Sequence, residues 1–284
     1  MKGKLIHFAM MLGTAAFISA CSDGHSFSVA ERISTPNVQG AHSVKRISYT
    51  GYYDEVYNWS FTYSNGVMTT ATSRQSIANN QEVGYTLTPQ LVYRLGYGSS
   101  DVSVNVTSSA GNDKVKLTLT NFLVASAVSG NTTYHYSYAD GRLAAWNVTY
   151  ENSGFAGQPA KGSSASISWT TDGNIEEIRY VPSTDANHKY YTYRFEYSTA
   201  RNVNGLLPEK ISRAFGCESF EYLYYAGLLG RGTTNLPSSL TITYSMDEEQ
   251  TETYEFFYNP TDGSDVKICQ YGDPGQMVNV EYGY

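Results

Sequence analysis

Residues 134–150, reading Tyr-His-Tyr-Ser-Tyr-Ala-Asp-Gly-Arg-Leu-Ala-Ala-Trp-Asn-Val-Thr-Tyr, constrain the fold more than any other stretch of the chain. Tyr134, Tyr136 and Tyr138 alternate with small or polar residues, so an extended strand puts all three rings on one face. Asp140-Gly141 then supplies two residues that tolerate positive φ, as a tight hairpin turn requires. Beyond the turn Trp146, Val148 and Tyr150 alternate again. One hairpin is written out in full.

The same grammar runs through the chain from Val44. Trp59, Phe61 and Tyr63 precede Asn65-Gly66, and Val67-Met68 begins the return. Val83, Tyr85 and Leu87 lead to Pro89; Leu91, Tyr93, Leu95 and Tyr97 lead through Gly98-Ser99-Ser100 to Val102, Val104 and Val106. Gly111-Asn112 marks a turn before Val115, Leu117 and Leu119. Ile167 and Trp169 run into Asp172-Gly173-Asn174-Ile175, with Ile178 and Tyr180 beyond. Tyr191, Tyr193, Phe195 and Tyr197 form the longest aromatic ladder. Others follow at Phe220, Tyr222 and Tyr224, at Leu240, Ile242 and Tyr244, at Tyr254, Phe256 and Tyr258, and at Val278, Val280, Tyr282 and Tyr284. The pattern predicts roughly sixteen to eighteen strands and no amphipathic helix beyond the N-terminal segment. Short connections favour sequential antiparallel pairing. A single sheet of that many strands curls, closes or splits. The expected class is all-β, an antiparallel meander forming a closed or nearly closed barrel, with a two-sheet sandwich as the alternative.

The first residues predict an address. Lys2 and Lys4 precede a mostly apolar run, Leu5–Phe17, and Ile18-Ser19-Ala20-Cys21 follows. This resembles the lipobox of bacterial lipoproteins, in which the cysteine is lipidated and becomes the new N-terminus. The reading is a signal peptide over 1–20, a lipidated N-terminus and flexible tether over 21–43, and a single β domain over 44–284. The apolar run is shorter than the ~20 residues a spanning helix needs. Ser22-Asp23 after Cys21 is compatible with outer-membrane sorting. Within the tether, Phe27–Ile33 is the one stretch that could add an edge strand.

Removing the signal takes away two lysines and no acid, so the formal net charge moves from −7 to −9. That balance argues against nucleic acid and anionic headgroups as partners. Charged residues make up only 16%, and 26 tyrosines take their place, a residue that suits half-buried sheet faces and binding surfaces alike. Cys217 and Cys269 would lie in an oxidising compartment, either as a disulfide or as two separate buried thiols.

Two resemblances enter here. Tyr136-Ser-Tyr138-Ala-Asp140-Gly141-Arg142-Leu143 resembles the YD-type repeat of RHS proteins, with Asp172-Gly173-Asn174-Ile175 as a weaker echo. The lipobox at Cys21, the Asn202–Leu207 loop, and Tyr224-Tyr225-Ala226-Gly227-Leu228-Leu229-Gly230 followed by Asn235-Leu236-Pro237 resemble a family of Bacteroidetes lipoproteins carrying a domain of unknown function. That resemblance implies a porin-like β fold and an envelope address, and brings no catalytic residue.

The chain offers little chemistry by motif. His25, His42, His135 and His188 stand in no metal-ligand spacing, and no cofactor motif is present. No nucleophile elbow is written either, which leaves a carbohydrate hydrolase with two carboxylates as the enzyme class still open. Asp247-Glu248-Glu249, Asp262-Gly263-Ser264-Asp265 and Glu176-Glu177 read as solvated turns or strand starts, the second of them with oxygens that could surround calcium. The aromatic ladders are either core or sugar-stacking platforms. Tyr225–Pro237, apolar and Gly-rich, is expected to plug a barrel end. The functional expectation is a non-catalytic binding or scaffold protein of the envelope, engaging a glycan, a small apolar ligand or a partner protein.

Overall fold

A computed structural model describes residues 44–50, 56–78, 85–98, 100–151, 160–182, 190–212, 214–216, 221–245, 250–261, 264–273 and 276–284. The first strands are β1 (Arg46–Thr50), β2 (Val56–Ser64), β3 (Val67–Ala78), β4 (Tyr85–Leu87), β5 (Leu91–Tyr97) and β6 (Asp101–Ser108). The middle of the wall is β7 (Gly111–Thr120), β8 (Leu123–Ser129), β9 (Thr132–Ala139), β10 (Arg142–Tyr150), β11 (Ala160–Trp169) and β12 (Ile175–Val181). It continues through β13 (Tyr191–Arg201), β14 (Asn235–Tyr244), β15 (Gln250–Asn259), β16 (Ile268–Asp273) and β17 (Gln276–Gly283).

Each strand pairs antiparallel with its neighbours in sequence, except that β3 pairs with β5 and the short β4 caps only the far end of β3. The ring closes where β17 returns to β1, with Arg46 opposite Gly283 and Thr50 opposite Asn279. The result is a closed sixteen-strand up-and-down barrel with β4 outside the ring. Closure leaves no free edge along the ring, which settles the choice against the sandwich. Two turns are built as expected: Asn65 and Gly66 have φ of 51° and 77°, Asp140 and Gly141 of 51° and 72°. The turn expected at Gly111-Asn112 lies two residues earlier, and both residues belong to β7.

Alternation sets the two faces. Inward go Trp59 and Phe61, Tyr93 and Leu95, Val102 and Val104, Val115 and Leu117, Ile178 and Tyr180, all buried. Outward and exposed are Ser60, Arg94, Asn105, Lys114, Lys116, Ser137, Asn147, Ser168, Arg179, Arg194, Glu196, Glu255 and Glu281. A membrane barrel carries the reverse, an apolar band outside and polar groups inside. The sixteen-strand ring is wide enough for a channel. Here the space is filled.

The filling comes from the connection between β13 and β14, which folds back into the lumen. It contains two helical turns, Glu209–Ser212 and Glu221–Tyr225, and its Leu206, Leu207, Ile211, Phe215, Tyr222, Leu223, Tyr224, Leu228 and Leu229 are all buried. The expected strand ladder at Tyr222 and Tyr224 is therefore wrong, since these residues stand on a short buried helical turn with no polar stripe; Phe220 lies outside the described residues. Period-two spacing of rings is also met by a helix surrounded by apolar walls, where every side is a buried side. The second turn ends in a Schellman motif: Leu228 N–H donates to Leu223 O, Gly227 N–H to Tyr224 O, and Gly227 has φ of 79°. Of the expected plug Tyr225–Pro237, residues 225–230 are buried in the lumen, while Asn235, Leu236 and Pro237 already belong to β14 of the wall.

The plug is laced to the wall. Val124 N–H donates to Leu228 O at 3.0 Å, Trp146 Nε1–H to Ala214 O at 2.8 Å, and Tyr49 OH to the buried Glu221 carboxylate at 2.8 Å. Its exit strand meets the two turns that resemble the YD signature: Arg231 N–H donates to Gly141 O and Thr234 N–H to Gly173 O. At Gly230 (φ 84°) a Cβ would stand 2.6 Å from Gly141 O, so the two backbones approach more closely than any side chain permits.

Candidate functional site

Counting strand directions gives the barrel two unlike ends. Tight turns at Asn65-Gly66, Asn121-Phe122, Asp140-Gly141 and 170–174 gather at one end, together with Val44, Tyr284 and the plug connection. The connections following β1, β3, β10, β12 and β14 leave from the other, the loop end.

The turn end is fastened by a repeated device. Six of the strands arriving there carry an aromatic residue at or near their last position whose polar tip donates to a backbone carbonyl of the strand before or of the residues leading into it. Tyr97 OH donates to Met68 O (2.8 Å), Tyr138 OH to Val124 O (2.8 Å), Tyr197 OH to Ile175 O (3.0 Å) and Tyr284 OH to Val266 O (2.7 Å). Tyr63 does the same toward Val44 O, and Trp169 Nε1–H toward Leu143 O. Two strands depart from the pattern, β7 with Leu119 in that place and β15 with Tyr258. The Tyr258 hydroxyl lies beside Cys269 of the following strand and meets no carbonyl among the described residues. Burial pushes the Tyr63, Tyr97, Tyr197 and Tyr284 phenols up from their ordinary range. This end is closed and structural.

The loop end is different. An inward row runs Trp146, Ala165, Tyr180, Tyr191, Tyr244 and Gln250 in register across β10–β15. Tyr180 stacks on Tyr191 at 5.8 Å, and Tyr191 meets Tyr244 edge-on at 5.1 Å. Trp146 and Tyr180 are buried, Tyr191 and Tyr244 half-buried, so the row climbs out of the core to the mouth. Beside it the exposed Glu252 accepts from both Tyr244 OH (2.7 Å) and Tyr254 OH on the same oxygen, Oε2. Lys210, from the plug, holds its Nζ 4.3 Å from the centre of the Tyr254 ring. The Tyr254 hydrogen bond, with those of Tyr244 and the charge of Lys210 behind it, holds the Glu252 carboxyl below its usual range against partial burial, so it is an anion at neutral pH.

The residues singled out in the sequence scatter. Cys21, His25, His42, His188, Cys217, Phe27–Ile33 and Asp247-Glu248-Glu249 lie outside the described residues, as do Asp262 and Gly263. Cys269 is a free thiol buried in the inner face of β16, and burial pushes it up to about 12 against the pull of the Tyr258 hydroxyl. Because the thiolate is the reactive form, Cys269 is expected to stay unlabelled by an aromatic disulfide reagent in the native chain and to react on unfolding. Immediate labelling without denaturant would contradict the packing of β16. His135 stands exposed on the outer wall, as its alternation with tyrosines implies. Glu177 pairs with Arg194 on that same outer face at 2.9 Å, an exposed contact of little energetic weight. Asp265 accepts from Asn204 of the plug connection at 3.1 Å, a fastening. Among the described residues no group of three or more His, Cys, Asp or Glu side chains is arranged to hold a metal.

Carboxylates on or inside the inner face are engaged separately: Glu221 by Tyr49, Asp113 by Ser129, Glu252 by its two tyrosines. Tyr191, Tyr193, Phe195 and Tyr197 all belong to the inner face; Tyr193 is buried, and Tyr191, Phe195 and Tyr197 are half-buried. Glu252 and Lys210 were not singled out by sequence. The available signal was Glu252's register, two residues before Tyr254, which places a charge in line with a ladder of rings.

No family model matches the chain, and no curated protein matches it. Among solved structures, a porin-like protein from Bacteroides uniformis ATCC 8492 superposes with a TM-score of 0.64 at 16% identity, covering 86% of this chain and 98% of that one. A porin-like protein from Bacteroides vulgatus ATCC 8482 gives 0.54 at 11% identity, covering 86% and 99%. At such identity the likeness is one of fold, and it agrees with the porin-like β fold that the resemblance implied.

Proposed function

We propose that this protein is a non-catalytic barrel of the cell envelope, lipid-anchored through Cys21 and standing in water, which holds its loop end away from the membrane to capture a ligand or partner. The observation that supports this most is the combination of a polar wall with an apolar, plugged lumen. Placing Arg94, Lys114 or Lys116 against lipid would cost about 2–4 kcal/mol each near the bilayer midplane. A filled lumen gives solutes no path. Val44 sits at the turn end, so a tether attached there leaves the loop end as the face directed outward. A glycan, a small apolar ligand and an envelope protein are the classes such a face would meet; the acidic balance disfavours nucleic acid.

Residues 22–284, expressed without signal and without detergent, are expected to run as a monodisperse soluble species with no conductance steps in planar bilayers. In the full precursor, Cys21→Ser is expected to stop lipid incorporation and leave the signal uncleaved. Detergent-dependent solubility would sink the water-facing barrel, and normal processing of Cys21→Ser would sink the anchor.

A further inference from the structure

We propose that the loop-end cluster of Tyr191, Tyr244, Tyr254, Glu252 and Lys210 is a binding site for a neutral saccharide; this rests on the reading of the loop end as the capture face. Its chemistry is mixed in a specific way. Tyr191 and Tyr244 are half-buried, with their rings held edge to face, so part of each ring is available in a fixed pose. Glu252 is exposed, and both of its tyrosine donors use Oε2, which leaves Oε1 with acceptor capacity among the described residues. Lys210 adds donors next to the ring of Tyr254.

Each simpler ligand class leaves one of these groups unmatched. A purely apolar ligand would strip water from a carboxylate and an ammonium without replacing their hydrogen bonds. An anion meets Glu252, and a cation meets Lys210. A neutral sugar answers all of them at once. Its axial C–H face packs on a tyrosine ring, a pair of neighbouring hydroxyls donates to the carboxylate, and another hydroxyl accepts from the ammonium. The hydrogen bonds that Tyr244 and Tyr254 make to Glu252 hold the carboxylate before any ligand arrives, which lowers the ordering cost of binding.

The test uses residues 22–284 on a printed array of neutral and acidic glycans, with the best neutral oligosaccharide then titrated calorimetrically. At least one neutral glycan is expected to be retained. Tyr244→Ala and Glu252→Gln are each expected to weaken it ~10-fold or more, while Tyr244→Phe, which keeps the ring, retains most of the affinity. Phe257→Ala, on the exposed outer wall, is the control and should bind as the parent does. Retention of acidic glycans alone, of no glycan, or of neutral glycans equally by Tyr244→Ala would overturn the site. Those failures leave a soluble, anchored barrel untouched. Release of reducing sugar by the parent would instead overturn the non-catalytic reading.

Discussion

Replacing Tyr222 with alanine is expected to destabilise the barrel by about 3–5 kcal/mol, the range for deleting a large buried ring. Tyr222 is wholly buried on the second helical turn of the plug, with Tyr93 at 4.6 Å and Trp59 at 6.1 Å between ring centres. The site has little freedom to collapse. Those neighbours stand on β5 and β2 of a closed ladder, and the turn itself is bonded to the wall through Glu221 and Leu228. Thermal and urea denaturation followed by circular dichroism would measure the loss, with a midpoint on the order of 10 °C lower. Phe257→Ala, an outward ring with 53% exposure, is the matched comparison and should stay within about 0.5 kcal/mol of the parent. If the two variants melted alike, the plug would not be packed as described.

The second large effect concerns the turn-end fastenings. Tyr97, Tyr138, Tyr197 and Tyr284 sit on or just after β5, β9, β13 and β17, every fourth strand of the ring. Each Tyr→Phe change keeps the ring and removes one hydroxyl bond to a carbonyl, at a cost of about 1 kcal/mol. Neighbouring sites are four strands apart, roughly 19 Å along the wall, so the losses should add to about 4 kcal/mol in the quadruple variant. The pH dependence has a definite sign. Burial raises the folded-state values of Tyr97, Tyr197 and Tyr284, whereas tyrosines in the unfolded chain titrate near ~10. Their contribution is therefore fully present below about pH 10 and is lost as pH rises beyond it. Stability of the parent should fall steeply above that pH, and the quadruple variant should fall less steeply from its lower start. Equal slopes would mean that these hydroxyls are not held as the geometry shows.

Much of the wall was legible because its instructions are local. Asn65-Gly66 and Asp140-Gly141 name their turns, and Trp59-x-Phe61-x-Tyr63 names its inward face, so strand number and antiparallel order follow without long-range information. The plug was not legible for a physical reason. A helix that faces rings on all sides has no polar stripe, and Tyr222-Leu223-Tyr224-Tyr225 offers nothing to separate it from a buried strand. The fastenings were half visible: the aromatic residue before each turn stands in the sequence, but its carbonyl partner belongs to another strand and requires register. The loop-end cluster asks for more still, since Lys210 reaches Tyr254 only because the chain re-enters the lumen between β13 and β14.

The seam between β1 and β17 also fixes an order of events. Its two halves are the first and last strands of the wall, so a chain made from its N-terminus holds β1 ready while almost every other strand is synthesised. Until β17 emerges the sheet keeps two open edges, and the native pairing that removes them is the most distant in sequence that the wall contains. The lumen segment, lying between β13 and β14, is complete before that moment. It is therefore available as a mandrel on which the sheet can curl, and a chain cut short by its final strand would lose the closure of the whole cylinder along with that one ribbon.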